Sequence, residues 1–521
     1  MYAIEYTALA MDISHWRNKA LRIFNEEIST KMYPSTLLHT YGVNGKVSGS
    51  IGAIGEMSGG VVAVLHGPIG CGYHYRFSAR RRHMPFFDLY TTDLTEKEII
   101  YGGEEKLLNT VRNVWEKHHP NLIMIIPTPV TDILNEDLYS AAKTLRDEGI
   151  PAVSIKSELF SHRDKSYASR RLKELSKMKL DGNEKLEIEL KGCGFTEALY
   201  ALVGQVMEPC DKIPLSVNIE TVGWGSEGSL VLREIEELLG KAGVKLNCWI
   251  PSSQLEKLKK APAAQLNIVR RIRWAKRMKQ VYGTDYMHLD VGGRYDGFDG
   301  LRHFYEDVGE KLGISEKMKE VVDMAEKEAL EVTLKEREEL SKYNCILVCR
   351  GLSSVPYTLK TYKQIYGVGI GTICIRFTDT MRRDQQMDPE TEERFMNRIQ
   401  DAIDTYSPGT EVLMNPSEGE MRACFENADA VIGTNDFTLE GKGAPIVSAV
   451  SEMHSLSYGS YVRDVKRFLA RIKNAKERND LLLNRMHFIT ENYPRHEDNN
   501  TASAREMWNR MWLNKNLEKK G

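Results

Sequence analysis

Short apolar runs alternate along this chain with longer segments in which apolar side chains recur at helical spacing. Residues 104–118 carry such a helical pattern, and residues 121–126 follow as one continuous apolar run. A continuous apolar run is typical of a strand buried on both faces of a parallel sheet. Further strands are predicted at 61–64, 152–155, 215–222, 245–250, 286–291, 345–348, 372–375, 411–414, 430–432 and 446–450. This alternation predicts the α/β class.

The pattern divides the chain into three α/β domains, each expected to be doubly wound and Rossmann-like, with parallel sheets around a central cleft. The highly charged segment 158–190 of the first domain is interpreted as a surface insertion, with docking of a partner as the alternative. In the second domain, helical spacing predicts one helix over residues 265–282. The expected bounds are an N-terminal arm at 1–40, domains at 41–212, 213–342 and 343–475, and a polar tail at 476–521.

The composition argues against nucleic-acid and membrane partners. The 521 residues include 71 Lys and Arg against 73 Asp and Glu, and so balanced a charge gives no electrostatic reason for either partner. Residues 1–16 lack a basic segment followed by an apolar one, and no apolar run approaches the roughly 20 residues that span a bilayer. We therefore expect a cytoplasmic protein.

The eight cysteines show no C-x-x-C spacing, so neither a zinc site nor a disulfide framework is predicted. Cys345 and Cys349 lie four residues apart on one predicted strand and therefore share a face. Packing in the core explains this pair. Another cysteine, Cys71, has a setting that suggests chemistry.

Cys71 lies in a glycine-rich turn that follows the first predicted strand. Gly70 and Gly72 flank it and would let backbone N–H groups approach its sulfur, as an iron–sulfur ligand requires. Four basic side chains that would stabilise a thiolate or an anionic cluster follow at Arg76, Arg80, Arg81 and Arg82. The alternative is a buried structural cysteine beside a solvated basic face.

Residues 223–228 satisfy G-x-G-x-x-G between a predicted strand and a predicted helix. This pattern belongs to the dinucleotide-binding fingerprint, which also places an acidic residue at the end of the next strand. Here that strand is followed by Pro251, Ser252 and Ser253. A plain tight turn is therefore the favoured interpretation, with nicotinamide or flavin binding as the alternative.

Two motifs together resemble the α-type subunits of nitrogenase component 1 and the wider nitrogenase-like family. In the first, a strand runs into the six residues from His66 to Cys71, where the family has a P-cluster ligand. Thinner similarity extends over residues 41–475. Within it, 265–269 resembles the start of the helix carrying the cofactor's cysteine ligand, and 452–455 resembles the segment with its histidine ligand. The second motif has family-like residues at Thr92, Asp93, Glu96, Lys97, Gly102 and Gly103.

The chain departs from this family at most metal-ligand positions. Gly45 falls where the first P-cluster cysteine is expected, and no cysteine occurs near Thr128, where the third is expected. Arg271 falls at the position of the cofactor's cysteine ligand. Of the family's ligand positions, Cys71 and His454 keep a ligating residue.

The resemblance implies an iron–sulfur cluster at Cys71, with Gly70 and Gly72 as further cofactor-binding positions. A 4Fe-4S cluster takes four ligands, so the others would come from a homologous β-type subunit, or from a second copy of this chain with additional ligands. The cluster would be of the 4Fe-4S type or a reduced analogue of the P-cluster. An ATP-dependent iron–sulfur reductase is the implied electron donor. A standard iron–molybdenum cofactor is not expected, because Arg271 would repel a metal cation and favour an anionic ligand.

Three functions remain as alternatives. In the first, the chain is a subunit of a nitrogenase-like reductase acting on a substrate other than N2, an organic one such as a tetrapyrrole. His454 would then be a proton donor or metal ligand, and Arg271 a substrate contact, although a solvated basic rim explains Arg271 equally well. In the second, the chain is a non-catalytic scaffold for assembling an iron–sulfur cofactor. In the third, it is a metal-free three-domain binding protein.

Overall fold

The computed structural model of the chain describes residues 46–72, 88–156, 165–178, 194–221, 230–289, 294–295, 297–433, 445–447 and 456–474. Within these ranges, twelve strands form three four-stranded sheets, and neighbouring strands pair in parallel. This confirms the predicted α/β class with parallel sheets. No helix in the same ranges is long and apolar enough to cross a membrane. The predicted arm at 1–40 and tail at 476–521 lie outside the described residues.

The first sheet has the strand order β2–β1–β3–β4. Its central strands, β1 and β3, are buried along their whole length, as their continuous apolar sequences predict. The change of winding direction places a crevice between the carboxyl ends of β1 and β3. The strands are β1 Val61–His66, β2 Leu89–Thr91, β3 Leu122–Pro127 and β4 Ala152–Ser154. The helices are Lys46–Gly55, Glu96–Tyr101, Glu104–His118, Pro129–Leu134, Leu138–Asp147, Lys165–Lys177 and Gly194–Gln205.

The second sheet repeats this arrangement, with the order β6–β5–β7–β8. Its crevice lies between the carboxyl ends of β5 and β7. The strands are β5 Ile213–Glu220, β6 Lys245–Ile250, β7 Ala264–Val269 and β8 Asp285–His288. The α-helices are Leu230–Lys241, Leu255–Lys259, Ile272–Tyr282, Gly297–Leu312 and Ser315–Leu340, and a 3-10 helix spans Ala261–Ala263.

The prediction of one helix over residues 265–282 is wrong for the first residues of that range. Residues Ala264–Val269 form β7, which pairs with β5 on one side and β8 on the other. The polar residue Asn267 is accommodated within β7 because its side-chain oxygen accepts a hydrogen bond of 2.8 Å from the side chain of Asn218 in β5. The helix begins at Ile272, with Arg271 as its extended N-cap residue.

The third sheet has the order β11–β10–β9–β12. The strand predicted at 446–450 contributes an isolated parallel bridge between Ile446 and Val431, and residues 448–450 lie outside the described ranges. The strands are β9 Asn344–Arg350, β10 Gly369–Arg376, β11 Glu411–Met414 and β12 Ala430–Ile432. The α-helices are Val355–Thr361, Asp379–Asp384, Pro389–Tyr406, Glu418–Glu426 and Tyr458–Lys473, and a π-helix spans Tyr362–Tyr366.

The charged segment 158–190 differs from its prediction as a surface insertion. Its helix, Lys165–Lys177, buries Leu172 and Leu175. Arg398 of the helix Pro389–Tyr406 donates a hydrogen bond to the carbonyl of Leu175. The helix is therefore packed through one face against the helix Pro389–Tyr406, whereas its residues Lys173, Glu174 and Lys177 are exposed.

The hydrophobic core continues from one sheet to the next. One cluster joins Ile126 of β3 with Trp274 of the helix Ile272–Tyr282, and another joins Ile219 of β5 with Leu347 of β9. The edges of the first and second sheets therefore share a buried junction. Candidate functional residues lie at those edges.

Candidate functional site

Cys71 lies at the carboxyl end of β1, beside the crevice of the first sheet. Its backbone N–H donates to the carbonyl of Pro68 at 3.1 Å, in a turn whose residues 69–72 are helical. A Cβ at Gly72 would collide with the methyl group of Thr91, whereas a Cβ at Gly70 would have nothing within 4 Å. Close packing therefore requires glycine on one side of Cys71 and leaves the other side open.

The thiol of Cys71 is half-buried, and burial raises its pKa. The arginines expected to stabilise a thiolate, Arg76 and Arg80 to Arg82, lie outside the described residues. A raised pKa disfavours the free thiolate at neutral pH, whereas a bound metal ion deprotonates a thiol as it coordinates. The described surroundings therefore favour either a protonated thiol or a metal-bound one.

The two motifs of the family resemblance meet at His66, the last residue of β1. Its ring is fully buried and is hydrogen-bonded through Nδ1 to Thr92 Oγ1 at 3.0 Å. Through Nε2 it is hydrogen-bonded to Glu136 at 2.5 Å. Burial lowers the pKa of His66 and outweighs the opposing effect of Glu136, so the ring is neutral at neutral pH.

Glu136 is a part of this site that the sequence interpretation missed, and Thr128, noted there for the absence of a cysteine, has a structural contact that was not foreseen. Glu136 also accepts a hydrogen bond from the backbone N–H of Gly103, and the Thr128 hydroxyl donates to the carbonyl of His66 at 2.9 Å. Thr128 directly follows β3. The rule that ligands bind at the carboxyl ends of central parallel strands is a signal that could have found it.

Exposed apolar side chains occur in the segments that follow three strands of the first sheet, one of which is the segment that carries Cys71. They follow β1, β2 and β3 at their carboxyl ends, which meet at one edge because the strands are parallel. We call them the apolar rim: Ile69, Ile100, Tyr101 and Ile133, with exposed fractions of 62%, 71%, 82% and 68%. Exposed apolar side chains that form a contiguous patch are typical of a surface that contacts another protein.

Arg271 lies in the crevice of the second sheet and forms a buried ion pair with Glu220, the last residue of β5. Its Nη1 lies 2.5 Å from Glu220 Oε1, and its guanidinium lies 4.3 Å from the ring centroid of Phe195. Glu220 Oε2 accepts from the backbone N–H groups of Arg270 and Arg271 and from Nε1 of Trp274. The anion that Arg271 contacts is therefore a carboxylate of the chain itself.

A second carboxylate, Glu56, joins the first and second sheets next to this pair. Glu56 accepts hydrogen bonds from Ser252 at 2.8 Å and from Thr221 at 3.2 Å. Burial raises the pKa of Glu56, and the nearby charge of Glu220 acts in the same direction. Ser252, which replaces the acidic residue of a dinucleotide fingerprint, thus holds a carboxylate of the chain. The glycine pattern at 223–228 itself lies outside the described residues.

The predicted site residues do not form one cluster among the described residues. Cys71 and Arg271 follow strands of different sheets. His454 lies outside the described residues. In the described ranges, no group of three or more His, Cys, Asp or Glu side chains could hold a metal ion. A 4Fe-4S cluster at Cys71 therefore fits these residues only if further ligands come from elsewhere.

A profile of the family described as nitrogenase component 1 type oxidoreductase matches residues 47–176 and 189–471. The chain therefore belongs to this family. Its members bind iron–sulfur clusters and form complexes with a homologous subunit. The unmatched residues 177–188 are fewer than the predicted insertion of 158–190, which agrees with the packing of the helix Lys165–Lys177.

Individual relatives have two kinds of name. The nitrogenase iron-molybdenum cofactor biosynthesis protein NifE of Clostridium pasteurianum is 24% identical over 387 residues, 71% of this chain and 73% of that protein. The protein of the same name in Methanococcus maripaludis is 26% identical over 297 residues, 54% of each chain. The nitrogenase molybdenum-iron protein alpha chain of Clostridium pasteurianum is 23% identical over 258 residues, 48% of this chain and 43% of that one. The last two matches thus span about half of those relatives or less.

A solved structure of nitrogenase Cp1 at pH 5 superposes on the chain with a TM-score of 0.51 and 17% identity. The superposition covers 82% of this chain and 88% of that one. At this identity the likeness shows a shared fold.

Proposed function

We propose that this chain is a non-catalytic scaffold subunit that holds an iron–sulfur cluster through Cys71, together with ligands from a homologous partner chain. The observation that carries the proposal is the buried ion pair of Arg271 and Glu220. It stands where the family resemblance places the cysteine ligand of an active-site cofactor. A guanidinium supplies no electron pair to a metal ion, so this position does not fit a cofactor of the iron–molybdenum type.

The setting of Cys71 supports the partner. One thiol is a quarter of the ligand set of a 4Fe-4S cluster, and the half-buried Cys71 lies at an open edge beside Gly70. The apolar rim at this edge would be buried by a second protein, and apolar burial drives such association. A homologous β-type subunit with about three cysteines of its own is the simplest source of the remaining ligands.

The names of the relatives support the scaffold. The proteins of Clostridium pasteurianum and Methanococcus maripaludis are named for the biosynthesis of the iron–molybdenum cofactor. The scaffold proposed for this chain would bind a cluster and then hand it on. A cluster shared at an interface suits this use, because separating the two chains removes part of its ligand set.

A second candidate is catalysis, favoured by the similarity to the molybdenum-iron protein alpha chain. The chain would then be a subunit of a reductase complex that acts on an organic substrate other than N2. Electrons would come from an ATP-dependent iron–sulfur reductase through the Cys71 cluster. His454 would be the proton donor or metal ligand.

Iron transfer and substrate turnover separate the two candidates. The complex is purified anaerobically with the partner that co-purifies from its native host, and is incubated with an apo-ferredoxin that accepts a 4Fe-4S cluster. We expect iron to move to the ferredoxin, and no consumption of substrate when an ATP-dependent iron–sulfur reductase is added. Reductase-dependent turnover with iron that stays on the complex would contradict the scaffold and support the second candidate.

A further inference from the structure

The turn that carries Cys71 is anchored five residues upstream, at His66. Its backbone is held from both neighbouring strands, since Thr128 donates to the carbonyl of His66. On the other side, the N–H of Gly67 donates to Thr92 Oγ1 at 3.0 Å, and the N–H of Leu94 donates to the carbonyl of Gly67 at 3.1 Å. The starting point of the turn is therefore fixed relative to both β2 and β3.

The ring of His66 carries this constraint to Glu136. Glu136 Oε2 lies 2.5 Å from Nε2 of His66, and Oε1 accepts the N–H of Gly103 at 2.5 Å. Gly103 is the N-cap residue of the helix Glu104–His118, where the helix dipole favours a negative charge. One carboxylate thus ties the Cys71 turn to a long helix of the same sheet.

The space around Glu136 is filled closely. A Cβ at Gly103 would lie 2.9 Å from Glu136 Oε1 and 3.2 Å from Cε1 of His66. Glu136 itself has a side chain only 11% exposed, and the ring of His66 is not exposed at all. Removing the carboxylate would leave a buried ring nitrogen and a backbone N–H without their acceptor, which is costly for buried groups.

We infer that Glu136 is a positioning residue, which holds the thiol of Cys71 in place through His66. Glu136 does not touch Cys71, and its effect passes through the ring and the first residues of the turn. Without this carboxylate the turn would move away from the apolar cluster against which Cys71 packs. The thiol would become more exposed and more accessible to reagents in solution. The hydrogen bonds of Glu136 and His66 do not depend on a bound cluster. What this positioning means for a cluster at Cys71 rests on the proposed function.

Alkylation of Cys71 in the metal-free full-length chain tests this inference. The rate of modification by iodoacetamide is measured by peptide mass spectrometry for the parent, Glu136→Ala and Glu136→Gln. For Glu136→Ala we expect Cys71 to react roughly tenfold faster, a factor typical of losing one buried hydrogen bond. Glu136→Gln should react close to the parental rate, since its amide oxygen can still accept from Gly103 while its NH2 group donates to Nε2 of the other neutral tautomer of His66.

Two controls make the result specific. Cys345 is fully buried in another sheet, and its modification reports general unfolding. Glu148→Gln removes an exposed carboxylate at the end of the helix Leu138–Asp147, where it pairs with Arg112. This change should leave the modification rate of Cys71 unchanged. The inference is overturned if Glu136→Ala leaves the Cys71 rate unchanged. It is also overturned if Cys71 and Cys345 accelerate together in both Glu136 variants. A selective change at Cys71 in a chain whose complex binds no iron would keep the inference and refute the proposed function.

Discussion

The carboxylate of Glu220 and the guanidinium of Arg271 form a buried ion pair across the crevice between β5 and β7. Glu220 is fully buried and Arg271 nearly so. Members of this family bind metal clusters, and the resemblance places a cysteine ligand at the position of Arg271. In this chain that position instead holds one partner of an ion pair between two of its own side chains. The pair also lies on Phe195 of the first domain's helix Gly194–Gln205. The pair therefore connects the crevice of the second sheet with the helix Gly194–Gln205.

Arg271→Met should strongly destabilise the chain. Glu220 would stay buried without its cation, and an uncompensated buried charge costs about 3–5 kcal/mol of unfolding free energy. Urea unfolding followed by circular dichroism measures the change. Lys279→Met is the matched control on the same helix, because its pair with Asp285 is exposed and should be worth less than about 1 kcal/mol.

The double variant Glu220→Gln with Arg271→Met should recover part of the lost stability. Glutamine at position 220 keeps an acceptor for the backbone N–H groups of residues 270 and 271 and removes the unpaired charge. A loss for Arg271→Met no larger than that for Lys279→Met would show that the pair is not a structural link.

Gly103→Ala should destabilise the first domain by about 1–3 kcal/mol, the range for overpacking a close-packed site. The added methyl group would meet Glu136, Leu94 and His66 at 2.9–3.2 Å. The control is Gly240→Ala in the helix Leu230–Lys241, where a Cβ has nothing within 4 Å. That change should be neutral or stabilise by roughly 0.5–1 kcal/mol, since alanine favours the helix. Equal effects of the two substitutions would be inconsistent with the packing around Glu136.

The strands were predictable because burial on both faces leaves continuous apolar runs, as in β1 and β3. The stretch Ala264–Val269 was mistaken for a helix because six residues fit either period, and pairing with β5 and β8 decides between them. The Cys71 turn was visible since its glycines lie next to it in sequence.

The partners of these residues were not predictable in the same way. Glu136 lies 70 residues from His66, and Glu220 lies 51 residues from Arg271. No local pattern connects residues so far apart in sequence. The fold brings them together, because adjacent parallel strands are joined by long crossover connections and their carboxyl ends then meet.

The pH dependence of stability should depend on Glu56. Its pKa is raised by burial, so above the ordinary carboxyl pKa of about 4.3 the unfolded chain releases a proton that the folded chain retains. Glu56 therefore lowers stability as the pH rises through this window. We expect the unfolding free energy of Glu56→Gln, taken relative to that of the parent, to be higher at pH 8 than at pH 5.

Glu148 provides the opposite case for comparison. Its hydrogen bond to Arg112 lowers its pKa, so its charged form favours the folded chain above the ordinary carboxyl pKa. Glu148→Gln should therefore lose ground to the parent as the pH rises toward the ordinary carboxyl pKa of about 4.3, and should change little relative to the parent between pH 5 and pH 8. The same sign of change for both variants would contradict these assignments.

The cysteines should differ in their reactivity in the native chain. Cys345 and Cys349 share a buried strand face, as predicted, and burial raises the pKa of each to about 12. Cys71 and Cys210 are partly exposed. Mild treatment with iodoacetamide at pH 8 should modify Cys71 and Cys210 and leave Cys345 and Cys349 intact until urea is added. Early modification of Cys345 would show that the third sheet opens readily.

Iron and acid-labile sulfide in the anaerobically purified complex test the central claim most directly. The parent, Cys71→Ala and Cys210→Ala are purified with the partner that co-purifies, and low-temperature EPR is recorded after reduction. We predict about four irons per cluster site in the parent, unchanged values for Cys210→Ala, and loss of most iron and of the EPR signal for Cys71→Ala. A parent complex without iron, or a Cys71→Ala complex with the parental iron content, would contradict a cluster held by Cys71.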